Sequence, residues 1–286
     1  MDLSIIIVNY QTYDLTKDAI ESILENPCKY TYEIILVDNN SPDDSIEKLE
    51  NNFKTNEKVK IIKNKKNLGF AYGNNRGIEI AKGDYILLLN SDTIVKPDTL
   101  NQCLDYIKQD ESIGALGCKV SLPSGELDKA CKRSFPNPVN SFYKLFHIPN
   151  NSKNDNYNLE DLEDNGVYEI DCLVGAFMLV KKDAIDDVGL LDEDYFMYGE
   201  DIDWCYRIKK AGWKIVYFGR SEIIHYKGAS SKKKSYKLIY EFHKSMYIFY
   251  RKHYTSEYNF LLNILVYLGI FVQLILKLFL NVFRKK

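Results

Sequence analysis

No Cys-x-x-Cys pair occurs in the chain; Cys28, Cys103, Cys118, Cys131, Cys172 and Cys205 stand far apart. Zinc and dithiol chemistry are therefore not expected, and the thiols read as free in a reducing compartment. No basic stretch precedes the first apolar run, and that run, Leu3 to Val8, is too short for a signal peptide. It reads as a strand, which places folding in the cytoplasm. No internal repeat is evident. Low hydrophobicity with extreme charge is also missing: 45% of the 286 residues are hydrophobic and the net charge is −2, so disorder is excluded and one large domain with an appendage is expected. The charge is uneven. Residues 227–286 hold 12 Lys and Arg against two acids, Glu241 and Glu257, and the rest holds 26 against 38. A basic tail on an acidic body points to an anionic surface as partner.

What is present first is alternation. Apolar runs at Leu3–Val8, Glu33–Val37, Val59–Ile62 and Tyr85–Leu89 read as strands. Helical spacing separates or follows them at Tyr13–Glu25, from Ser41-Pro42 to Leu49, at Phe70–Ala81 and at Pro97–Gln109. Continuously apolar strands alternating with helices predict an α/β fold, a mainly parallel sheet flanked by helices. Such sheets bind ligands at the carboxyl ends of their strands. Those ends carry Asn9-Tyr10, Asp38-Asn39-Asn40, Asn64 and Asn90-Ser91-Asp92. One polar loop is ordinary turn chemistry; four on one edge outline a polar crevice.

Between Ser121 and Gly166 lie four of the seven prolines (Pro123, Pro136, Pro138, Pro149) and an Asn/Asp-rich run from Asn150 to Asn165. This predicts an irregular excursion, either facing an acceptor or merely connecting. Beyond it, Val167–Cys172, Phe177–Val180, Lys214–Phe218 and Glu222–His225 read as strands, and Glu200–Lys210 as a helix. Helices at about Lys234–His253 and Glu257–Phe283 close the chain.

Several residues carry two readings. Asp38 suits a base N–H or a ribose hydroxyl, or is a turn aspartate. The Asn67–Gly77 stretch has glycines for close backbone approach and Arg76 for a phosphate, or serves helix packing. Asp92 with a diphosphate suits Mg²⁺ or Mn²⁺, with Asn90 beside it. His225 is a nitrogen ligand or a structural histidine. Glu200-Asp201 offset a helix dipole or supply a general base. Asp203 pairs with Arg207 one turn on. Trp204 stacks on a sugar or fills the core.

Taken together, these blocks are specific. Ser4-Ile-Ile-Ile-Val-Asn-Tyr10, Ile34-Ile-Leu-Val-Asp38-Asn-Asn-Ser41, Asn67-Leu-Gly-Phe-Ala71, Gly73-Asn-Asn-Arg-Gly77 and Gly83 through Asp92 come in order. Gly175 through Val180, Gly189 through Asp201 and Ile223-Ile-His225 follow. Over about residues 3–253 the sequence resembles family 2 glycosyltransferases of the GT-A fold, especially a rhamnosyltransferase-like subgroup. The resemblance implies an inverting, single-displacement transfer from a dTDP- or UDP-sugar to a glycan or polyprenyl-linked acceptor in surface polysaccharide synthesis. It implies Asp201 as general base and Asp92 as the metal end of a D-x-D element whose first aspartate is here Asn90. His225 is implied as a metal ligand, with Mn²⁺ or Mg²⁺ as cofactor. Asn9, Tyr10, Asp38, Gly69, Asn74, Arg76, Asn90 and Asp92 fall to the donor side, and Glu200, Trp204 and Gly175 to the acceptor side. Residues 1–120 form the donor half, 121–230 the acceptor half and 231–286 the tail. No nucleic-acid partner is expected. The alternatives are a non-catalytic glycan-binding subunit on the same fold and a nucleotidyltransferase; for the latter, the usual glycine-rich loop after the first strand is missing.

In the tail, Phe260–Leu276 has no formal charge, the lower edge for a spanning helix. Asn259, Asn263, Tyr267, Gln273, Lys277, Asn281 and Arg284 fall near one face at about 100° per residue. A polar stripe on a broad apolar surface fits a helix in the membrane interface, and Lys232–Lys234, Arg251-Lys252 and Arg284–Lys286 suit anionic lipid. The expected location is the inner face of the cell membrane. The alternatives are a helix that covers the domain and one that dimerises, the second making the chain a homo-oligomer.

Overall fold

The computed structural model describes residues 1–137, 157–227 and 235–283. Among them, β1 (Leu3–Asn9), β2 (Tyr32–Asp38), β3 (Val59–Lys63) and β4 (Tyr85–Asn90) run parallel in the order β3-β2-β1-β4. Their uninterrupted Ile, Leu and Val runs are almost wholly buried in β1, β2 and β4. Helices α1 (Tyr13–Leu24), α2 (Ser45–Phe53), α3 (Phe70–Ile78) and α4 (Thr99–Ile107) connect these strands and those that follow. Each turns a stripe inward: Ala19, Ile20 and Ile23 in α1, and Ile46, Leu49 and Phe53 in α2.

The sheet continues as β8-β6-β9-β5, with β7 (Val167–Glu169) also on β9. Here β8 (Phe177–Lys181) is antiparallel to β4 and to β6 (Ile113–Ser121), while β6 and β9 (Lys214–His225) are parallel. The sheet is thus mainly parallel in its first half and mixed in its second. Helices α5 (Lys182–Val188) and α6 (Glu200–Lys210) follow β8. Two long helices, α7 (Tyr236–His253) and α8 (Phe260–Val282), form a C-terminal hairpin.

The structure departs from the sequence reading in several places. Ser41 does not cap α2. Its hydroxyl and amide go to Asp38, at 2.6 and 3.0 Å, and the helix starts at Ser45. The two short late strands are one strand, β9, with a register shift across residues 219–221. Strands β5 (Thr93–Val95) and β6 and helix α5 are additions. Within the excursion, Lys129–Cys131 form a 3₁₀ turn and Arg133 bridges Cys172. Pro138, Pro149 and Asn150 to Asn156 lie outside the described residues, as do the basic clusters at 232–234 and 284–286.

Candidate active site

Strand order reverses between β1 and β4, the place where open α/β sheets bind ligands. Asn9 ends β1 there, and its side chain is a hub. Its Nδ2 donates to Asp38 Oδ1 (2.8 Å), Ser45 Oγ (3.1 Å) and Ser41 Oγ (3.2 Å). Its Oδ1 accepts from the Thr12 and Thr16 hydroxyls at 3.1 and 3.0 Å. Asp38, at the end of β2, is thereby fixed and buried. Beside it, Asn39 donates to the Gly69 carbonyl at 2.9 Å and accepts from Asn64 at 3.1 Å.

Past β4 the chain turns into β5, which pairs antiparallel with β9 so that Thr93 faces His225. That pairing sets Asp92 against His225: Asp92 Oδ1 lies 3.0 Å from Nε2, and the Tyr226 amide donates to the Asp92 carbonyl. Asn90 Nδ2 is 3.4 Å from the same ring nitrogen. On the other ring edge, Asp128 Oδ2 lies 3.7 Å from Nδ1. Burial alone would push the imidazole down, but the carboxylates of Asp128 and Asp92 outweigh it and pull the group up to about 9. Burial would raise the Asp128 carboxyl. The facing His225, Lys227 Nζ (2.7 Å) and the Ala130 amide (3.0 Å) instead drive it well below the usual carboxylate range.

The third cluster opens α6. Gly199, with φ of 85°, turns the chain into the helix, and Glu200 and Asp201 sit in its first turn. Asp201 Oδ2 accepts from the Arg133 guanidinium at 2.7 Å and from the Gly175 amide at 3.3 Å. Its Oδ1 accepts from the Ile202 amide at 2.8 Å. Arg133 is buried and also donates to the Leu173 carbonyl. Glu200 is only 7% exposed, and its Oε2 has no hydrogen-bond partner. Burial, reinforced by the Asp201 charge, raises its carboxyl to about 8. At neutral pH Glu200 is therefore a neutral acid. The Asn90 amide donates to the Ala176 carbonyl at 3.1 Å, next to Gly175. Two hydrogen bonds thus connect the Asp92–His225 end to Asp201.

A family model described as Glycosyl transferase family 2 matches residues 4–189, about two thirds of the chain. The chain belongs to glycosyl transferase family 2. The matched stretch of this glycosyltransferase holds Asp38, Asn90, Asp92, Asp128, Arg133 and Gly175, and ends before Asp201. It is 29% identical over 230 residues to an N-acetylglucosaminyl-diphospho-decaprenol L-rhamnosyltransferase of Mycobacterium tuberculosis, covering 76% of this chain and 73% of that one. It is 30% identical over 168 residues to rhamnosyltransferase WbbL of Escherichia coli K12, covering 55% and 61%. Among solved structures, GalNAc-T7 with UDP, GalNAc and Mn²⁺ superposes with a TM-score of 0.66 at 17% identity. That match takes in 88% of this chain and 48% of the other, so the glycosyltransferase spans about half of that protein. The likeness establishes the GT-A-like fold.

The residues singled out from sequence fall into three groups. Asn90, Asp92 and His225 converge, and so do Gly175, Glu200 and Asp201. Asp38 and Asn9 meet at the sheet edge, with Tyr10 exposed beside them. Others stand elsewhere. Trp204 is fully buried, with its Nε1 on the Gly189 carbonyl at 2.9 Å; it fills the core and presents no face to a sugar. Asn74 is buried and bonds the Phe70 carbonyl within α3. Arg76 pairs with Glu79 in the last turn of α3, about 9 Å along the helix from Phe70. Gly69, by contrast, lies beside the Asp38 cluster through its bond from Asn39, and its φ of 111° meets a packing need: a Cβ there would come within 2.2 Å of the Phe196 carbonyl oxygen. Asp203 does pair with Arg207, at 2.8 Å.

Asp128 and Arg133 escaped the sequence reading. Only strand register brings Asp128 to His225, and no spacing signals it. For Arg133 the signal was the pair of cations between Cys131 and Phe135, since buried cations demand partners. Among the described residues no three His, Cys, Asp or Glu side chains converge as a metal cage. The donor set still suits a hard divalent cation. The 3.0 Å from Asp92 Oδ1 to His225 Nε2 matches adjacent ligands with bonds of about 2.1 Å, and Asn90 Oδ1 is buried beside them without a hydrogen-bond partner.

Proposed function

We propose that this glycosyltransferase moves a sugar, rhamnose favoured, from a dTDP- or UDP-diphosphate carrier to a glycan acceptor on a polyprenyl lipid. The work belongs to surface polysaccharide synthesis at the cytoplasmic face of the membrane. The names of the two rhamnosyltransferase relatives support the sugar, and the diphospho-decaprenol in one of them supports the lipid-linked acceptor.

One observation carries the mechanism: Asp201 stands at a helix N-terminus, held by Arg133 and Gly175, two hydrogen bonds from Asn90 and its neighbour Asp92. A carboxylate so held keeps its orientation, and geometry is the first need of a general base. Asp201 takes the proton of the acceptor hydroxyl as the oxygen attacks the anomeric carbon from the face opposite the leaving diphosphate, and one displacement inverts that centre. Glu200, neutral below about pH 8, donates a hydrogen bond to the acceptor. Asp38, held by Asn9 and Ser41, receives the nucleoside. Asp92 and His225, the imidazole giving up its Nε2 proton as the ion enters, would hold Mn²⁺ or Mg²⁺, and the ion would neutralise the leaving diphosphate. Asp128 orients the His225 ring from behind, as carboxylates commonly do for metal-binding histidines.

The test is nucleotide release from dTDP-, UDP- and GDP-sugars with a polyprenyl-linked N-acetylglucosamine acceptor, in Mn²⁺ and in chelator. Release from one dTDP or UDP donor, stopped by chelator, is the expected outcome. Release that persists in chelator removes the metal from the scheme. Release without the lipid acceptor at the same rate removes the acceptor assignment.

A further inference from the structure

Helix α8 is 23 residues long, and its most apolar stretch has a mean hydropathy of 2.1 with almost none of it buried. Leu261, Leu265, Leu268, Phe271, Ile275 and Phe279, at three- and four-residue spacing, are all at least half exposed. An apolar face of this length left to water is unusual for a soluble chain. The other side of the helix is the more polar one, and it faces the protein. Asn263 is buried, accepting from Tyr250 Oη at 2.7 Å and donating to the Thr255 carbonyl at 2.9 Å. Tyr267 Oη meets Thr255 Oγ1 at 2.6 Å, and its ring lies 5.2 Å from that of Tyr247. Asn281 is buried at the far end. Of the polar stripe read from sequence, Asn263 and Asn281 are thus buried and Tyr267 and Gln273 partly so, while Asn259 and Lys277 are exposed.

Helix α7 ties this arrangement to the site. His253 Nε2 lies 2.7 Å from Asp203 Oδ1, and Lys252 pairs with Asp192 and Asp194. The Tyr206 ring packs against His253, Phe249 and Tyr254. Asp203 and Tyr206 belong to α6, the helix that opens with Glu200-Asp201. For α8 to cross a bilayer it would have to leave α7 and carry Asn263 into hydrocarbon without partners, a costly transfer. Kept on α7, it offers an apolar face on a segment with ten more cations than acids, counting 12 Lys and Arg against two acids over residues 227–286. Apolar contact combined with attraction to negative charge is the requirement of an anionic lipid surface.

We propose that the outward face of α8 is seated in a lipid bilayer with anionic headgroups. The helix lies along the surface, and α7 is a strut that sets the height of Glu200-Asp201 above it. The seat stands on the exposed face of α8, its docking on α7 and the charge of residues 227–286; only its use, reaching a lipid-linked acceptor, rests on the proposed function.

Flotation of the full chain tests it without any acceptor. The chain is expected to rise with vesicles of phosphatidylcholine and phosphatidylglycerol, and much less with phosphatidylcholine alone. The triple variant Leu265→Glu, Leu268→Glu, Leu276→Glu should float at least ~10-fold less while keeping its melting temperature and its nucleotide-sugar binding. Spin labels at Leu261, Leu268 and Ile275 should report one common depth. The proposal falls if the parent chain stays down with anionic vesicles, or if the triple variant floats as well as the parent. A depth graded along the helix, marking a span, also overturns it. So does a stable dimer whose labels are buried by the second copy and which takes up no lipid.

Discussion

The two sides of the crevice treat their polar groups differently. At the ends of β1 and β2, Asn9, Asp38, Ser41, Ser45, Thr12 and Thr16 complete one another's hydrogen bonds. Across from them, Asn90 Oδ1, Asp128 Oδ2, Arg133 Nε, Glu200 Oε2 and His225 Nδ1 are buried without a hydrogen-bond partner. A buried polar atom left unpaired costs roughly 1–3 kcal/mol. The first cluster is a finished platform whose job is to hold Asp38 still. The second carries that cost in the free protein, relieved in part by the charge of Asp128 facing His225 at 3.7 Å. The platform is saturated with hydrogen bonds, and the facing side keeps acceptors and donors in reserve.

Substitutions can break that contrast, and the largest effect belongs to Asp201→Asn. It keeps the shape and removes the base, so transfer should fall by at least ~10²-fold with donor affinity unchanged, as read by single-turnover rates beside donor titration. Next is Arg133→Met, which takes from the partly buried Asp201 its cation and from the Leu173 carbonyl its donor. Chemical unfolding should show a loss of ~3 kcal/mol, and transfer should slow, with Arg133→Lys restoring part of both. Asn9→Ala attacks the platform: a loss of about 2 kcal/mol in stability is expected, with donor KM raised and kcat little changed. The smallest effect sharpens the contrast. Glu200 has a folded value near 8, above its ordinary range, so it favours folding while protonated and loses that advantage as pH rises from about 4.5 to 8. Glu200→Gln should stabilise the fold by ~1–2 kcal/mol at pH 8 and by nothing at pH 4, and should abolish an alkaline fall in transfer near pH 8. A melting-temperature gain equal at both pH values would show that Glu200 ionises normally.

The first half of the fold was legible because β1, β2 and β4 are buried on both faces and read as unbroken Ile, Leu and Val. Strand β6 hid behind Gly114, Ala115 and Gly117, whose smallness is itself a packing device. A Cβ on Gly114 would meet the Trp213 side chain at 2.6 Å, and one on Gly117 would meet Leu173 at 2.4 Å. Room for neighbours replaced the hydrophobic signal. Strand β9 read as two pieces because Gly219-Arg220-Ser221 interrupts the pattern while the ladder resumes beyond. In the candidate site, Asp92, Asp201 and His225 could be named as candidates because they stand at ends of elements. Their partners could not: Asp128 and Arg133 arrive through pairings with residues more than 35 positions away, and chain-local patterns carry no information about those. Trp204 shows the opposite error. An aromatic three residues after a base suggests a sugar platform, but helical rotation turns it into the core.

Gly69 and Phe196 meet where no side-chain carbon would fit, and the Phe70 amide donates to the Phe196 carbonyl at 2.8 Å. Gly69 belongs to the stretch behind Asp38, and Phe196 to the turn that leads into Glu200-Asp201. The Asp38 side and the Asp201 side are thus joined at a point where two backbones touch. A larger residue in place of Gly69 would act as a wedge, prising the two sides apart while leaving every side chain on either of them intact.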